Sequence, residues 1–300
     1  MKYVITGANG FIGSNLIKAL RNQRNECIAI VRKGKKKQVE QNPIFDGICI
    51  EELDLSEYRM IGSLFPQTEC LVNLMWEGSR GEARMNEDIQ KADYSSTMDA
   101  IKSMAGTKCN CIVTAGSQAE YGNISGRITE ETTPVPNTEY GKYKLKLYED
   151  AYSFCRMHKI RLIEPRYFSI YGPGDTEKTM VISILKRMLR NEKCDLTKSV
   201  QYWDFLFIDD AIEALIMLIN SKCNSGAYNF ASGDCRKLMY FIEDMKKFCG
   251  SDSELDFGAI SYPKSGMVSI EPDISKLSNT IEWRAKTSFR DGIMAVIKSL

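Results

Sequence analysis

Residues 3–6 are apolar and partly β-branched, a Gly-rich turn follows, and Ile12, Leu16, Ile17 and Leu20 then recur at helical spacing before a second apolar run at 27–31. This alternation predicts strand, helix, strand, a βαβ unit. Further short apolar runs at 48–50, 70–74, 111–114 and 161–165 are separated by segments long enough for a helix. Parallel strands need such crossovers, so the order predicts an α/β chain whose parallel sheet is wrapped by helices. After Pro173 the alternation stops: a helical segment at 181–190, a strand at 204–208 and a helix at 209–220 precede smaller elements. The expected division is a sheet domain over residues 1–170 and a smaller α/β cap over 171–300. The cap is expected at the sheet's C-terminal edge, where open α/β folds bind ligands, with one or two of its elements returning to the main sheet.

Composition narrows the function classes. Forty Lys and Arg against 39 Asp and Glu leave a net charge of +1, which gives no electrostatic footprint for nucleic acid or an anionic membrane. The ten Cys are scattered through mostly apolar segments and are expected as reduced, packed thiols. Cys109 and Cys111 form a Cys-x-Cys with no second pair and no His nearby, so no metal site is expected. With no charged-then-apolar leader and no apolar run of spanning length, a cytoplasmic location without a membrane span is expected. His158 is the only histidine, and it lies between a helical and a strand-like stretch. It reads as a helix-end residue, which removes Ser-His-Asp, Cys-His and two-His metal mechanisms from consideration.

The chemistry concentrates at three places. Thr6-Gly7-Ala8-Asn9-Gly10-Phe11-Ile12-Gly13 joins the first strand to the first helix, where a glycine turn lets backbone and helix N-terminus meet a pyrophosphate. Gly7 and Gly10 keep that approach open, and Gly13 allows close packing of helix on strand. Arg32 and Lys33 end the second strand with no acid beside them, which favours NADP over NAD unless the basic run is plain solvated surface. Asp54 and Leu55 follow the third strand and either meet the adenine or begin a capped helix. Tyr140 and Lys144, four residues apart in a helix expected at 139–155, share one face. An ammonium there would lower the tyrosine pKa and make the phenol a usable acid/base. Ser117, beyond the strand at 111–114, would reach the same sheet edge and hold a carbonyl or alcohol oxygen. A surface Tyr and Lys with a Ser turn is the plain alternative.

These segments resemble the extended short-chain dehydrogenase/reductases, in the branch of nucleotide-sugar epimerases, dehydratases and reductases. The likeness rests on TGANGFIG at 6–13, GSQAEYG at 116–122, YGKYK at 140–144, PRYFSIYGPGD at 165–175, WDFLFIDDA at 203–211 and YNFASG at 228–233. It implies a Rossmann-type doubly wound parallel sheet with bound NAD or NADP, a smaller C-terminal α/β cap for the sugar nucleotide, and often a dimer built by two helices per subunit. In that setting Tyr140 is the acid/base, Lys144 binds the nicotinamide ribose and depresses the tyrosine pKa, and Ser117 positions the reacting oxygen. Asn73, Leu74, Met75 and Trp76 resemble the strand end that lines the cofactor, and Tyr167 to Tyr171 would lie near the nicotinamide.

Departures from the family pattern bear on the reaction. Gln118 and Ala119 stand where the 4,6-dehydratases carry Asp and Glu, which disfavours dehydration, and Glu120, one position later, is expected to aim elsewhere. Ser169 replaces a common Asn. Trp203 replaces an Arg that binds nucleotide phosphates, and either stacks on base or sugar or packs in the core. The substrate contacts expected are thus Ser117, Gln118 and Trp203. The expected function is NADPH-dependent reduction of a nucleotide-linked 4-keto deoxyhexose. An NAD-dependent 4-epimerase is the close alternative, and a non-catalytic nucleotide sensor the distant one.

Overall fold

The protein was analysed as a computed structural model that describes residues 1–262 and 266–300. Strands β1 (Lys2–Thr6), β2 (Glu26–Val31), β3 (Cys49–Glu52), β4 (Cys70–Asn73) and β5 (Cys111–Thr114) build the sheet with the strands Arg161–Tyr167 and Gly226–Phe230. Their spatial order is Gly226–Phe230, Arg161–Tyr167, β5, β4, β1, β2, β3, and the two-residue strand Gly116–Ser117 pairs off this path with Arg161–Tyr167. The pairings from β3 across to Arg161–Tyr167 are parallel. Helices on a sheet's faces leave the strands no wet side, so β1, β4 and β5 read as unbroken apolar runs rather than alternations. The order reverses between β1 and β4, the switch point at which such sheets bind ligands. There the buried Thr6 hydroxyl donates to Asn73 Oδ1 at 2.7 Å and ties the two strand ends together.

Helix α1 (Phe11–Asn22) buries Gly13, Leu16, Ile17 and Leu20, the spacing that puts one stripe on one face. The helices Glu87–Ser103 and Glu139–His158 set Met98, Ile101, Leu147, Ala151 and Cys155 against Val4, Leu71, Ile112 and Leu162 of the sheet.

The chain divides into two compact units that do not part at a single point. One comprises Met1–Gly122, Pro134–Arg166 and Leu215–Tyr228; the other comprises Asn123–Thr133, Tyr167–Ala214 and Asn229–Leu300. The second unit is built of short strand pairs, among them Leu206–Phe207 with Ile170–Tyr171 and Tyr202–Trp203 with Arg236–Lys237. Its core is aromatic: the Phe289 ring lies 4.7 Å from Phe241, 5.6 Å from Phe205 and 5.5 Å from Tyr171. The strand expected at 204–208 is only Leu206–Phe207, and the helix Ile208–Asn220 begins at the next residue. All ten Cys are free thiols. Among the described residues no helix is long and apolar enough to cross a membrane, and no group of three or more His, Cys, Asp or Glu could hold a metal.

Candidate active site

At the end of β1 the chain turns through Gly7, whose φ of +64° favours a residue without Cβ. A Cβ there would lie 2.7 Å from the Leu74 carbonyl carbon and the Met75 nitrogen, and one on Gly13 would lie 2.4 Å from the Gly7 oxygen. Gly10 caps α1 in an extended conformation and supplies no side-chain cap. The first-turn amides, the positive end of the helix dipole, are thereby left available to an anion. Beside this turn lies a cleft of about 500 Å³ lined by Gly7, Asn9, Gly10, Arg32, Asp54, Leu55, Leu74, Met75 and Trp76, together with Ile30, Val31, Leu53, Tyr58 and Glu77. A cradle that any Cβ would fill, an uncapped helix N-terminus and a cleft of this size fit a dinucleotide. Phe11, Ile12 and Gly13 form the first turn of α1 and are not among the lining residues. The sequence reading did not include Ile30, Val31, Leu53, Tyr58 or Glu77. The first three were visible only as strand-end residues, and Tyr58 and Glu77 carried no local signal.

Arg32 lies 3.5 Å from Glu77, and both side chains are more than half exposed. Lys33 turns instead to Glu57 at 2.7 Å and Asp54 at 3.3 Å. Asp54 precedes the turn Leu55–Met60, where its amide donates to Glu57 Oε2 at 2.8 Å, and it lines the cleft.

Ser117, Tyr140 and Lys144 come together. The Thr138 hydroxyl oxygen caps the helix Glu139–His158 by accepting from the Gly141 amide, which places Tyr140 in the first turn and Lys144 one turn on. Lys144 Nζ donates to the Ala115 carbonyl oxygen at 2.7 Å and lies 3.7 Å from the Trp76 ring centroid, against 5.8 Å from that of Tyr140. The Trp76 and Tyr140 rings meet edge to face at 6.2 Å. Burial raises the Tyr140 pKa above its ordinary value, and Glu120 adds to the rise. A hydrogen bond from Ser117 and the guanidinium groups of Arg84 and Arg80 oppose it. The net direction is upward, set by burial, where the sequence led to an expected depression. The phenol is shielded from water, and the ammonium is aimed at a carbonyl and an indole face. Burial lowers Lys144 itself to about 8 against the pull of Glu120, Glu164 and Asp93.

Two supports were not legible in advance. Glu120 does not stand free: Oε1 accepts from the Ser117 amide at 2.7 Å and Oε2 from Arg166 Nε at 2.8 Å. Arg166 also reaches Glu164 at 3.0 Å, and all three side chains are buried. Across the site, Asp93 Oδ2 accepts from the amides of Glu77 and Gly78, while Gln90 Nε2 donates to the carbonyl oxygens of Gly78 and Ala83 at 2.8 Å each. Gln90 Oε1 accepts from Trp76 Nε1 at 2.7 Å. The only sequence signal was two polar residues three apart on a helix, the spacing of one face.

Gln118 follows Ser117, half-buried, its carbonyl accepting from the Tyr121 amide. Tyr167 and Trp203 belong to the second unit. There Tyr167 is buried against Phe230, ring centroids 5.3 Å apart, and Trp203 pairs with Arg236 and tilts against Phe205 at 6.4 Å. The Tyr167 hydroxyl and Trp203 Nε1 are buried and find no hydrogen-bond partner among the described residues.

Known proteins resemble the chain along its length. It is 22% identical over 303 residues to the CDP-abequose synthase of Salmonella muenchen, covering 99% of this chain and 97% of that protein. Against the dTDP-6-deoxy-L-talose 4-dehydrogenase (NAD(+)) of Aggregatibacter actinomycetemcomitans it is 27% identical over 251 residues, 81% of this chain and 89% of that one. The crystal structure of a UDP-glucuronic acid 4-epimerase from Bacillus cereus in complex with NAD superposes with a TM-score of 0.84 at 22% identity, covering 100% and 98% of the two chains. Residues 3–231 match a defined family. The chain belongs to the NAD dependent epimerase/dehydratase family, within the extended short-chain dehydrogenase/reductases.

Proposed function

We propose that the protein is an NAD(P)-dependent oxidoreductase acting at C4 of a nucleotide-linked deoxyhexose, reducing a 4-keto sugar. The observation that carries this reading is the convergence of Ser117, Tyr140 and Lys144 beside the cleft, with Gln118 and Ala119 where a dehydratase needs two carboxyl groups. A relative named as a deoxysugar 4-dehydrogenase supports it.

The glycine turn and the α1 N-terminus would hold the pyrophosphate, Asp54 and Leu55 the adenosine end, and Leu74 to Trp76 the nicotinamide end. When bound, the nicotinamide supplies or accepts hydride. Ser117 and Tyr140 hydrogen-bond the sugar O4, and Tyr140 delivers its proton to O4 as the carbonyl becomes an alcohol. Lys144 would bind the nicotinamide ribose. Because the phenol is buried and held above its ordinary pKa, it arrives protonated, the form that reduction requires.

One observation favours a second reading, the 4-epimerase. Glu77 engages Arg32 at 3.5 Å, which weakens the case for a cofactor 2′-phosphate and fits the NAD seen in the Bacillus enzyme. An assay of NADPH and NADH consumption across nucleotide 4-keto-6-deoxy sugars separates the two, since an epimerase returns its hydride and consumes none. Loss of turnover in Tyr140→Phe is expected. Neither cofactor consumption nor epimer formation with any such substrate, or full activity in Tyr140→Phe, overturns the proposal.

A further inference from the structure

Trp76 lines the cleft and also touches both Tyr140 and Lys144. Its N–H donates to Gln90 Oε1 at 2.7 Å. Gln90 is itself buried and held by its Nε2 bonds to the carbonyl oxygens of Gly78 and Ala83, so the indole is anchored at its polar end. The edge-to-face contact with Tyr140 fixes a second side of the ring. The Lys144 nitrogen lies 3.7 Å from the ring centroid. An ammonium approaching in the ring plane would overlap the ring hydrogens at that distance, so the nitrogen sits over a face, where the quadrupole is negative.

The other groups facing Lys144 explain why that contact matters. Glu120 from the turn after β5, Glu164 from the strand Arg161–Tyr167 and Asp93 from the helix Glu87–Ser103 all favour its charge, and Tyr140 lies one turn away on its own helix. Each carboxyl group is bonded elsewhere: Glu120 to the Ser117 amide and Arg166, Glu164 to Arg166, and Asp93 to the amides of Glu77 and Gly78. The ammonium itself donates to the Ala115 carbonyl oxygen at 2.7 Å. A buried charge is costly unless its surroundings compensate it, and the indole face supplies part of that compensation. We propose that Trp76 is the seat of the Lys144 ammonium. Its anchored face holds the lysine at the place from which it serves Tyr140 and the nicotinamide ribose, which makes Trp76 a positioning residue of the reacting centre. Leu at this position would keep apolar bulk without a π face, and Phe would keep a face without the N–H that Gln90 holds.

The inference rests on the roles of Tyr140 and Lys144 in the proposed function, and its test does not need turnover. Tryptophan emission is followed as the pH is raised from about 6 to about 10. The wild type is expected to show a step centred at about 8, where burial sets the Lys144 pKa. The step is expected to vanish in Trp76→Phe and in Lys144→Met, and to persist in Glu164→Gln. Calorimetry with NADH and with NADPH then reads the positioning role. Trp76→Leu is expected to weaken binding about tenfold and Trp76→Phe about threefold. In the Lys144→Met background Trp76→Leu is expected to change affinity by less than about twofold, because the residue acts through the lysine. A side chain that merely walls the cleft would lose the same factor in both backgrounds. Equal losses in both backgrounds, or no emission step in the wild type, overturn the inference, and with turnover retained they do so without touching the proposed function. Coupled losses with no turnover on any nucleotide sugar support the inference while refuting the proposed function. Binding of neither dinucleotide overturns both.

Discussion

Lys144 makes its hydrogen bond to Ala115 inside the protein, and the buried ammonium is held down to about 8 from 10.5. The unfolded chain keeps that proton up to about 10.5, whereas the folded chain loses it near 8. Between these values the unfolded state binds more protons, so stability rises with pH across this window. The full gain is present above about 10.5 and absent below about 8, and amounts to at most about 3 kcal/mol. Lys144→Met is expected to lack this rise. Urea unfolding of both proteins at about pH 7 and about pH 10 reads the difference directly. Parallel pH dependence in wild type and variant would refute the assignment.

Arg166 neutralises two carboxyl groups that have no access to water. Its removal leaves Glu120 and Glu164 facing each other uncompensated, a loss of about 3–5 kcal/mol when a buried pair is broken. Arg166→Met is therefore expected to unfold at much lower denaturant concentration. Burial and Glu120 already push Glu164 well up toward its neutral form, so Glu164→Gln is expected to cost less than Arg166→Met. The reverse ranking would show that Glu164 carries the charge in the folded state.

Residues that act through their neighbours in sequence were legible; those that act through the folded chain were not. The β1, Gly-rich turn and α1 sequence announces itself because strand period, glycine turn and amphipathic spacing all lie within about twenty residues. Tyr140 and Lys144 were legible for the same reason, since four residues along a helix fix a shared face. The direction of the Tyr140 pKa was not, because it depends on burial and on Arg84, 56 residues away in sequence. Glu120 was expected to aim elsewhere; it lies under the Ser117 turn, and its partner Arg166 is on the strand Arg161–Tyr167, 46 residues away. Nor could the short strand Gly226–Phe230 be read from its pattern as a member of the main sheet, because its place is set by pairing with Arg161–Tyr167.

Gln90 satisfies three polar groups of the Trp76 to Ala83 segment with one side chain. Gln90→Leu keeps the approximate volume and orphans two carbonyl oxygens and an indole N–H. It is expected to cost about 2 kcal/mol. Amide hydrogen exchange should quicken between residues 77 and 85 and remain unchanged in β1 and β2. Uniform acceleration throughout the sheet would mean a global loss of stability instead of a loosened loop.

On the proposed reading, Arg32 and Glu77 select the cofactor. Both are more than half exposed, and an ion pair at that exposure is worth about 0–1 kcal/mol. A cofactor 2′-phosphate could therefore displace Glu77 at little cost, but would still meet its negative charge nearby. Glu77→Gln removes that repulsion and frees the guanidinium. The ratio of NADPH to NADH affinity, measured by calorimetry, is expected to rise about fivefold, or about 1 kcal/mol. Arg32→Ala is expected to lower the same ratio by a similar factor, since it removes the cation and leaves the carboxylate. If both variants leave the ratio where it was, the end of β2 does not select the cofactor. If Glu77→Gln instead weakens NADH binding, the carboxylate holds the ribose hydroxyls and the protein is built for NAD.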